Sequence, residues 1–412
     1  MTDDDLSWVA RSVWFNGRMS DTAAGGALLT REAASLLEFL RDGVPRTRAE
    51  LAELTGLARS TIASRLTGLM AAELVVPAGG APSSGGRPPA CVAFNPNARI
   101  LVAIDLGATH GVVAVADLAG AILYSDSQEL SIALGPEPVL DWAIDAARRL
   151  LETSGRPASD LVGVGVGLPG PVEHATGKPT NPPIMPGWDR FDVPGYIRRR
   201  LDVPVFVDND VNVLALGEHA TAWNGHNDLL FVKVSTGIGA GIISGGRLQR
   251  GAQGSAGDLG HVRVPFTRET PKHGDEGADL EALASGPAIA RWISERGVPA
   301  ATSNDVVALE RAGNPVAIQA IRQAGRDLGE VLATSVNLLN PSVIVIGGSI
   351  ARAGEHLLAG VREVVYGQST PLSTQYLTIA PSRAGDTGGV LGAAIMVIQN
   401  TLDPDAIREP QD

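Results

Sequence analysis

The chain has 412 residues, 44% of them hydrophobic, a formal net charge of −12 and one cysteine, Cys91. That length supports two or three domains with sizeable cores, and a single cysteine excludes both an intramolecular disulfide framework and a multi-cysteine metal site. The acidic balance argues against a surface that coats nucleic acid broadly, though not against a small DNA-reading module; the acidic start MTDDDLSWVA and the lack of any apolar run of transmembrane length predict a cytoplasmic protein with no membrane partner.

Charge is distributed unevenly. Residues 28–90 hold seven Arg against six Asp or Glu, a slight positive excess in a chain that is otherwise strongly acidic, which points to two kinds of work in one chain. Residues 1–27 are polar and Gly/Ala-rich and read as a flexible arm. Between 30 and 42, Ala33, Leu36, Leu37 and Leu40 recur at helical spacing until Gly43. Thr47-Arg48-Ala49-Glu50 is a capping box that opens a short helix carrying Leu51 and Leu54 and ending at Thr55-Gly56. A third helix turns Ile62, Leu66, Leu69 and Met70 inward. Its outward residues, Arg59, Ser60, Thr61, Ser64 and Arg65, are of the types that reach base edges and phosphates.

Residues 74–76 and 91–94 read as the strands of a wing. Gly85-Gly86-Arg87-Pro88-Pro89 between them would hold Arg87 near the DNA backbone or minor groove. Helix, helix, turn, helix, wing is a DNA-binding layout, assigned here to residues 28–98, with a small helical interaction domain as the alternative. The pattern resembles a MarR-like winged helix-turn-helix. It departs at Ala58, where Ser often caps the recognition helix, a change worth about 1 kcal/mol.

From Ile100 the character changes to β-branched strands, glycine turns and Ala-rich helices. A meander is expected over 100–105, 111–116 and 121–124, then an amphipathic helix over 138–151 and a strand over 161–167. The glycines from Gly163 to Gly170 permit close approach, either of a ligand or of a tightly packed neighbour. Residues 205–219, VFVDNDVNVLALGEH, follow as a strand running into a helix, with Asp208, Asn209 and Asp210 at the junction. Ligands of open α/β sheets bind beyond the carboxyl ends of strands, and a carboxylate there suits proton abstraction from a hydroxyl. The plainer alternative is that Asp208 and Asp210 only cap the helix.

A strand over 228–234 and the turn from Ser235 to Gly241 repeat the pattern of Asp105, Gly107 and Thr109. The repeat implies a duplicated α/β unit closing on a shared cleft. Such hairpins offer N–H and hydroxyl donors to phosphates, and Asp105 could orient a hydrated magnesium. The stretch 254–261 places Asp258 and His261 three apart, Glu281 adds another carboxylate, and a buried strand runs into Gly347-Gly348, where a nucleotide base could lie. Residues 388–398 read as a final apolar helix crossing back to the core.

In this order the motifs resemble the ROK family of repressors and sugar kinases, over 100 to about 398. The resemblance implies an α/β actin/hexokinase-like fold of two ribonuclease H-like lobes, 99–225 and 226–412, behind an all-α/winged-helix module, with the C-terminal helix returning to the first lobe. It implies Asp210 as catalytic base; Asn209, Asp210, Asp258, His261, Glu281 and Gly170 toward sugar; and Asp105, Gly107, Thr109, Thr236, Gly237, Gly239, Gly347 and Gly348 toward ATP with magnesium. The chain departs from the family at Asp258, often Glu, and at the cysteines that commonly bind zinc after the His. Lys272, Gly274 and Asp279 stand there instead, so no metal site and no zinc are expected. The leading expectation is a sugar-responsive transcriptional regulator, with a sugar or a sugar phosphate as effector, that assembles as a dimer or higher homo-oligomer on an inverted-repeat operator. The alternatives are an ATP-dependent sugar kinase and, more distantly, an actin-like ATPase with a protein partner.

Overall fold

The computed structural model describes residues 29–80, 90–264, 279–404 and 406. The expected arm (1–27), the wing tip with Arg87, and Lys272, His273, Gly274, Asp275 and Glu276 lie outside the described residues.

The N-terminal module is built as its sequence requires. Thr47 accepts from the Glu50 amide while the Glu50 carboxylate reaches back to the Thr47 amide, closing both halves of the capping box. The helix Arg48–Thr55 ends at Gly56, whose φ of +70° places it in the left-handed region. The helix Arg59–Ala71 begins at Ala58 without a side-chain cap. Ile62, Leu66 and Leu69 are fully buried, Met70 packs partly against them, and Leu54 turns outward at 52% exposure. The first helix is shorter than its periodicity suggests, Arg31–Glu38 rather than reaching residue 42. The Arg46 guanidinium explains the early stop: it donates to the Phe39 and Val44 carbonyls and to Asp42, satisfying groups at the helix end from outside. Arg46–Thr47, Ala90–Phe94 and Val75–Gly80 form a small antiparallel sheet in that order.

Two five-stranded sheets follow with the same topology. In the first, Ile100–Leu106, His110–Asp117 and Ile122–Glu129 form an antiparallel meander, and Leu161–Leu168 and Val205–Asn209 add in parallel on the other side of Ile100–Leu106. In the second, Leu229–Val234, Ile238–Ser244 and Arg247–Gln249 form the meander, with Val343–Gly347 and Thr378–Pro381 as the parallel additions. The repeated order is the duplication that the two glycine hairpins announced.

Two helices join the halves. Asp210–Ala222 lies against the second sheet's meander, and Gly388–Leu402 returns to the first sheet. They cross so closely that a Cβ on Gly392 would sit 1.7 Å from the Val213 carbonyl oxygen, and one on Gly217 2.2 Å from that of Gly388. The glycine-alternating strand has the same explanation: a Cβ on Gly165 would lie 2.3 Å from the Ala393 carbonyl oxygen. At Gly163 and Gly165 the close neighbour is therefore the final helix. Only glycine lets backbones approach this far. One apolar cluster runs from Leu36, Ile62 and Phe94 through Leu101 and Ala114 to Val213 and Val397, so the N-terminal module and the first sheet share a core.

Candidate functional site

The strand Val205–Asn209 ends at Asn209, whose side chain accepts from the Val211 amide. The helix is thus capped by Asn209, which frees both neighbouring aspartates for other partners. Asn209 also donates to the Gly170 carbonyl oxygen at 2.9 Å, fixing the turn after Leu161–Leu168.

Each aspartate meets a cation from the second sheet. Asp208 is buried and accepts from the Asn209 amide, from Asn212 Nδ2 at 2.8 Å and from Arg250 Nε at 2.6 Å. Asp210, 5% exposed, is ion-paired through Oδ2 with the Lys233 ammonium. Lys233 lies in the strand Leu229–Val234 and Arg250 directly follows the strand Arg247–Gln249, so both pairs tie one half of the molecule to the other across the cleft floor. His174 lies beside the first pair. Desolvation, then the Arg250 charge, push its pKa below the ordinary histidine value against the pull of Asp208.

Asp105 stands at the end of the first strand, half-buried, against the start of the final helix: a Cβ on Gly389 would fall 2.0 Å from its Oδ2. Loss of solvent raises its pKa to about 6, the Asp210 carboxylate adds to the rise, and Lys233 and His110 oppose it. For Lys233, desolvation is the largest influence and favours the neutral amine. The attraction of Asp210 and Asp105 outweighs it, so its pKa stands above the ordinary lysine value. Sequence reasoning missed Lys233, Arg250 and His174. Lys233 alone carried a signal, a lone cation in the otherwise apolar run LLFVKV.

The magnesium expectation can be judged on these groups. Asp105 and Asp210 are the carboxylates a hydrated divalent ion would use, but an ammonium already bonds to one and acts electrostatically on the other. Its charge does locally what the metal's would do, and these residues do not fit a divalent cation held between them.

The remaining expected residues divide into groups. Gly107 donates to the His110 carbonyl oxygen in the first hairpin, and the His110 ring folds over Gly107, 2.2 Å from where a Cβ would lie. Thr109 and Thr236 are exposed. Glu281 accepts from the Ile238 amide, bracing the second hairpin at Gly237. Gly239 lies beside Val211. Ser235 and Ser349 join hydroxyl to hydroxyl at 2.9 Å, which brings that hairpin to Gly347 and Gly348. A Cβ on Gly348, whose φ is +91°, would fall 2.4 Å from the Val234 carbonyl oxygen. Asp258 and His261 form an exposed pair at 3.0 Å, and the Asp258 carboxylate raises the imidazole pKa. No hydrogen bond among the described residues links that pair to Asn209 or Asp210. On the recognition helix, Arg59, Ser60 and Ser64 are exposed, and Thr61 and Arg65 are half-buried.

Duplicated ribonuclease H-like sheets, a polar cleft floor between them and a winged helix in front define a protein built on a sugar-kinase-like fold with a nucleic-acid-reading module. The ROK family model matches residues 101–400, and the chain belongs to the ROK family. It is 29% identical over 369 residues to a xylose repressor of Bacillus spizizenii, covering 89% of this chain and 95% of that protein. It is 30% identical over 313 residues to a glucokinase of Thermotoga maritima, covering 72% and 96%. A solved ROK family transcriptional regulator, described as a homolog of the E. coli MLC protein, superposes with a TM-score of 0.79 at 24% identity, over 92% of this chain and 98% of that one. The repressor likeness includes the N-terminal module; the kinase likeness covers a share close to that of the ROK domain alone. No helix among the described residues is long and apolar enough to cross a membrane.

Proposed function

We propose that this chain is a sugar-responsive transcriptional repressor of carbohydrate-metabolism genes. Residues 28–98 read operator DNA, and the lobes 99–225 and 226–412 bind a sugar effector between them. The observation that carries the reading is the shared core: the module exposing Arg59, Ser60 and Ser64 is packed onto the same sheet whose strands Ile100–Leu106 and Val205–Asn209, either side of Leu161–Leu168, carry Asp105 and Asn209 near their ends. A cavity of about 330 Å³ at this junction is lined by Glu38, Arg41 and Phe94 from the module and by Leu118, Ala119, Ile395 and Ile398. The same final helix begins beside Asp105, so a ligand that shifts it acts at both ends.

Asn209 and Asp210 contact sugar hydroxyls in this reading, with Glu281, Asp258, His261 and the Gly170 turn completing the site. A symmetric dimer places two recognition helices on an inverted repeat. Exposed Leu338 and Leu372, each at 79%, and Tyr376 at 85%, supply apolar surface that a second copy would bury. The test is operator affinity at fixed salt, measured by fluorescence anisotropy with and without sugars. An operator indifferent to every sugar overturns the reading.

The second reading is an ATP-dependent sugar kinase with Asp210 as base. Likeness to a glucokinase and both hairpins, Asp105 to Thr109 and Thr236 to Gly239 with Gly347-Gly348, favour it. The Lys233 ion pair on Asp210 stands against it, because a base held by an ammonium is a weaker proton acceptor. Sugar-dependent ADP release that Asp210→Asn abolishes would establish this reading in place of the first.

A further inference from the structure

Every charged group that converges on the cleft floor carries information about which sugar derivative can enter. Asp105, Asp208 and Asp210 bring three carboxylates to the cleft floor, and the effector reading adds Asp258 and Glu281 from beside the second hairpin. The two cations that reach these carboxylates from the second sheet are both committed: Lys233 to Asp210, with Asp105 also in its field, and Arg250 to Asp208. His261 is bonded to Asp258.

We infer that the cleft takes an uncharged, unphosphorylated sugar, and takes it without a nucleotide or a divalent cation, because Lys233 and Arg250 already serve as its counter-cations. This rests on the effector reading above and narrows it. Among the described residues, the cations that meet the cleft-floor carboxylates are Lys233 and Arg250, and a phosphate ester that drew either away would leave Asp210 or Asp208 buried and unpaired, which is strongly unfavourable. A neutral sugar asks for nothing of the kind. Lys233 occupies Oδ2 of Asp210 and leaves Oδ1 for a ligand hydroxyl. Asn209, with one N–H given to Gly170 and its oxygen accepting from Val211, retains a second N–H and a lone pair. A magnesium ion would meet the Lys233 ammonium at close range, so Lys233 is the residue that sets the cleft apart from one organised around a metal-bound nucleotide.

Calorimetric titration of the full chain tests this with xylose, glucose, N-acetylglucosamine and the 6-phosphates of the last two. Each is measured in EDTA, with magnesium, and with magnesium and ATP. The expected result is that a neutral sugar binds in EDTA with an affinity unchanged within about twofold by the additions, and that its 6-phosphate, where that ester is in the panel, binds roughly tenfold or more weakly. Lys233→Met is expected to lose at least about tenfold in metal-free affinity and to acquire a magnesium-dependent rise in Tm that the wild type lacks. Lys233→Arg, which keeps the charge and guards against a Met variant that does not fold, is expected to bind the neutral sugar in EDTA. A tighter-binding phosphate ester, a requirement for magnesium or ATP, or wild-type sugar affinity in a folded Lys233→Met would each overturn the inference. An operator that answers a phosphate ester overturns it while leaving the repressor reading in place; one that answers no sugar under any condition overturns both.

Discussion

Glu218 is the carboxylate that accepts four hydrogen bonds between the halves among the described residues, and its removal gives a sharp test of how they are joined. It is fully buried near the end of Asp210–Ala222 and accepts four hydrogen bonds: Ser382 Oγ at 2.7 Å, the Arg383 amide at 2.7 Å, the Ala384 amide at 3.0 Å and Trp223 Nε1 at 3.1 Å. Three of these donors lie in the loop that leads into the final helix, and Arg383 stacks on the Trp223 ring at 4.4 Å. In Glu218→Ala the donors lose their acceptor in a place closed to solvent, and each such loss costs about 1–3 kcal/mol. Because relaxation and entering water offset part of the sum, the net cost should be about 3–5 kcal/mol, the range for breaking a buried charged network. Glu218→Gln keeps one carbonyl acceptor and should lose roughly half as much. Urea unfolding followed by tryptophan fluorescence reads the change, since Trp223 sits against the carboxylate, and the midpoint should fall by about 1–2 M for the Ala variant. An Ala variant within about 1 kcal/mol of wild type would refute the claim that this carboxylate organises the loop.

Further outcomes follow from the same structure. Asp327 is buried, and desolvation raises its pKa from 3.8 to about 6, against a hydrogen bond from Gln323. A raised carboxyl favours the fold below the unfolded pKa and loses that contribution as pH climbs through 6. Asp327→Asn should therefore stabilise the chain by about 2–3 kcal/mol at pH 7.5 and by little at pH 4; equal gains at both pH values would contradict this. Gly392→Ala pushes a methyl into the Val213 carbonyl, so either the two connecting helices part or the fold weakens by several kcal/mol, on the order of the larger overpacking costs; a wild-type Tm would show the crossing to be looser than 1.7 Å implies. Removing both Arg59 and Arg65 should weaken operator binding by about 2–6 kcal/mol if each reads a base, and unchanged affinity in a gel-shift titration would remove that helix from the DNA interface.

What the sequence made legible was local. The capping box at Thr47, the glycine stop at Gly56, the β-branched strands and the repeated glycine hairpin each rest on interactions a few residues apart, and they carried the winged helix and the duplicated sheets with them. The early end of the first helix was hidden because it depends on Arg46 folding back across seven residues to the Phe39 carbonyl. The junction at Asp208, Asn209 and Asp210 was recognisable as a candidate site, but the division of hydrogen-bond partners within it was not. Asn209 caps the helix, and each aspartate is claimed by a cation 23 or 42 residues further along the chain. Lys233 reaches Asp210 only because the second sheet packs beneath the helix, and no spacing rule brings those two positions together. The glycines from Gly163 to Gly170 left a ligand and a tightly packed neighbour as open choices; the final helix, more than 200 residues on, resolves Gly165 in favour of its backbone at Ala393 and Gly163 in favour of the Val397 side chain.

The account stands or falls most directly on operator affinity measured at one salt concentration, with and without a neutral sugar, in the wild type and in Asp210→Asn. The operator fragment comes from genomic footprinting with the same full-length chain. We predict that the sugar weakens wild-type binding by roughly 5- to 150-fold, the usual range for a coupled site. Asp210→Asn is predicted to bind the operator as tightly as wild type while losing most of that response. An operator affinity that no sugar alters, in a chain that transfers phosphate from ATP to the same sugar, would contradict the account.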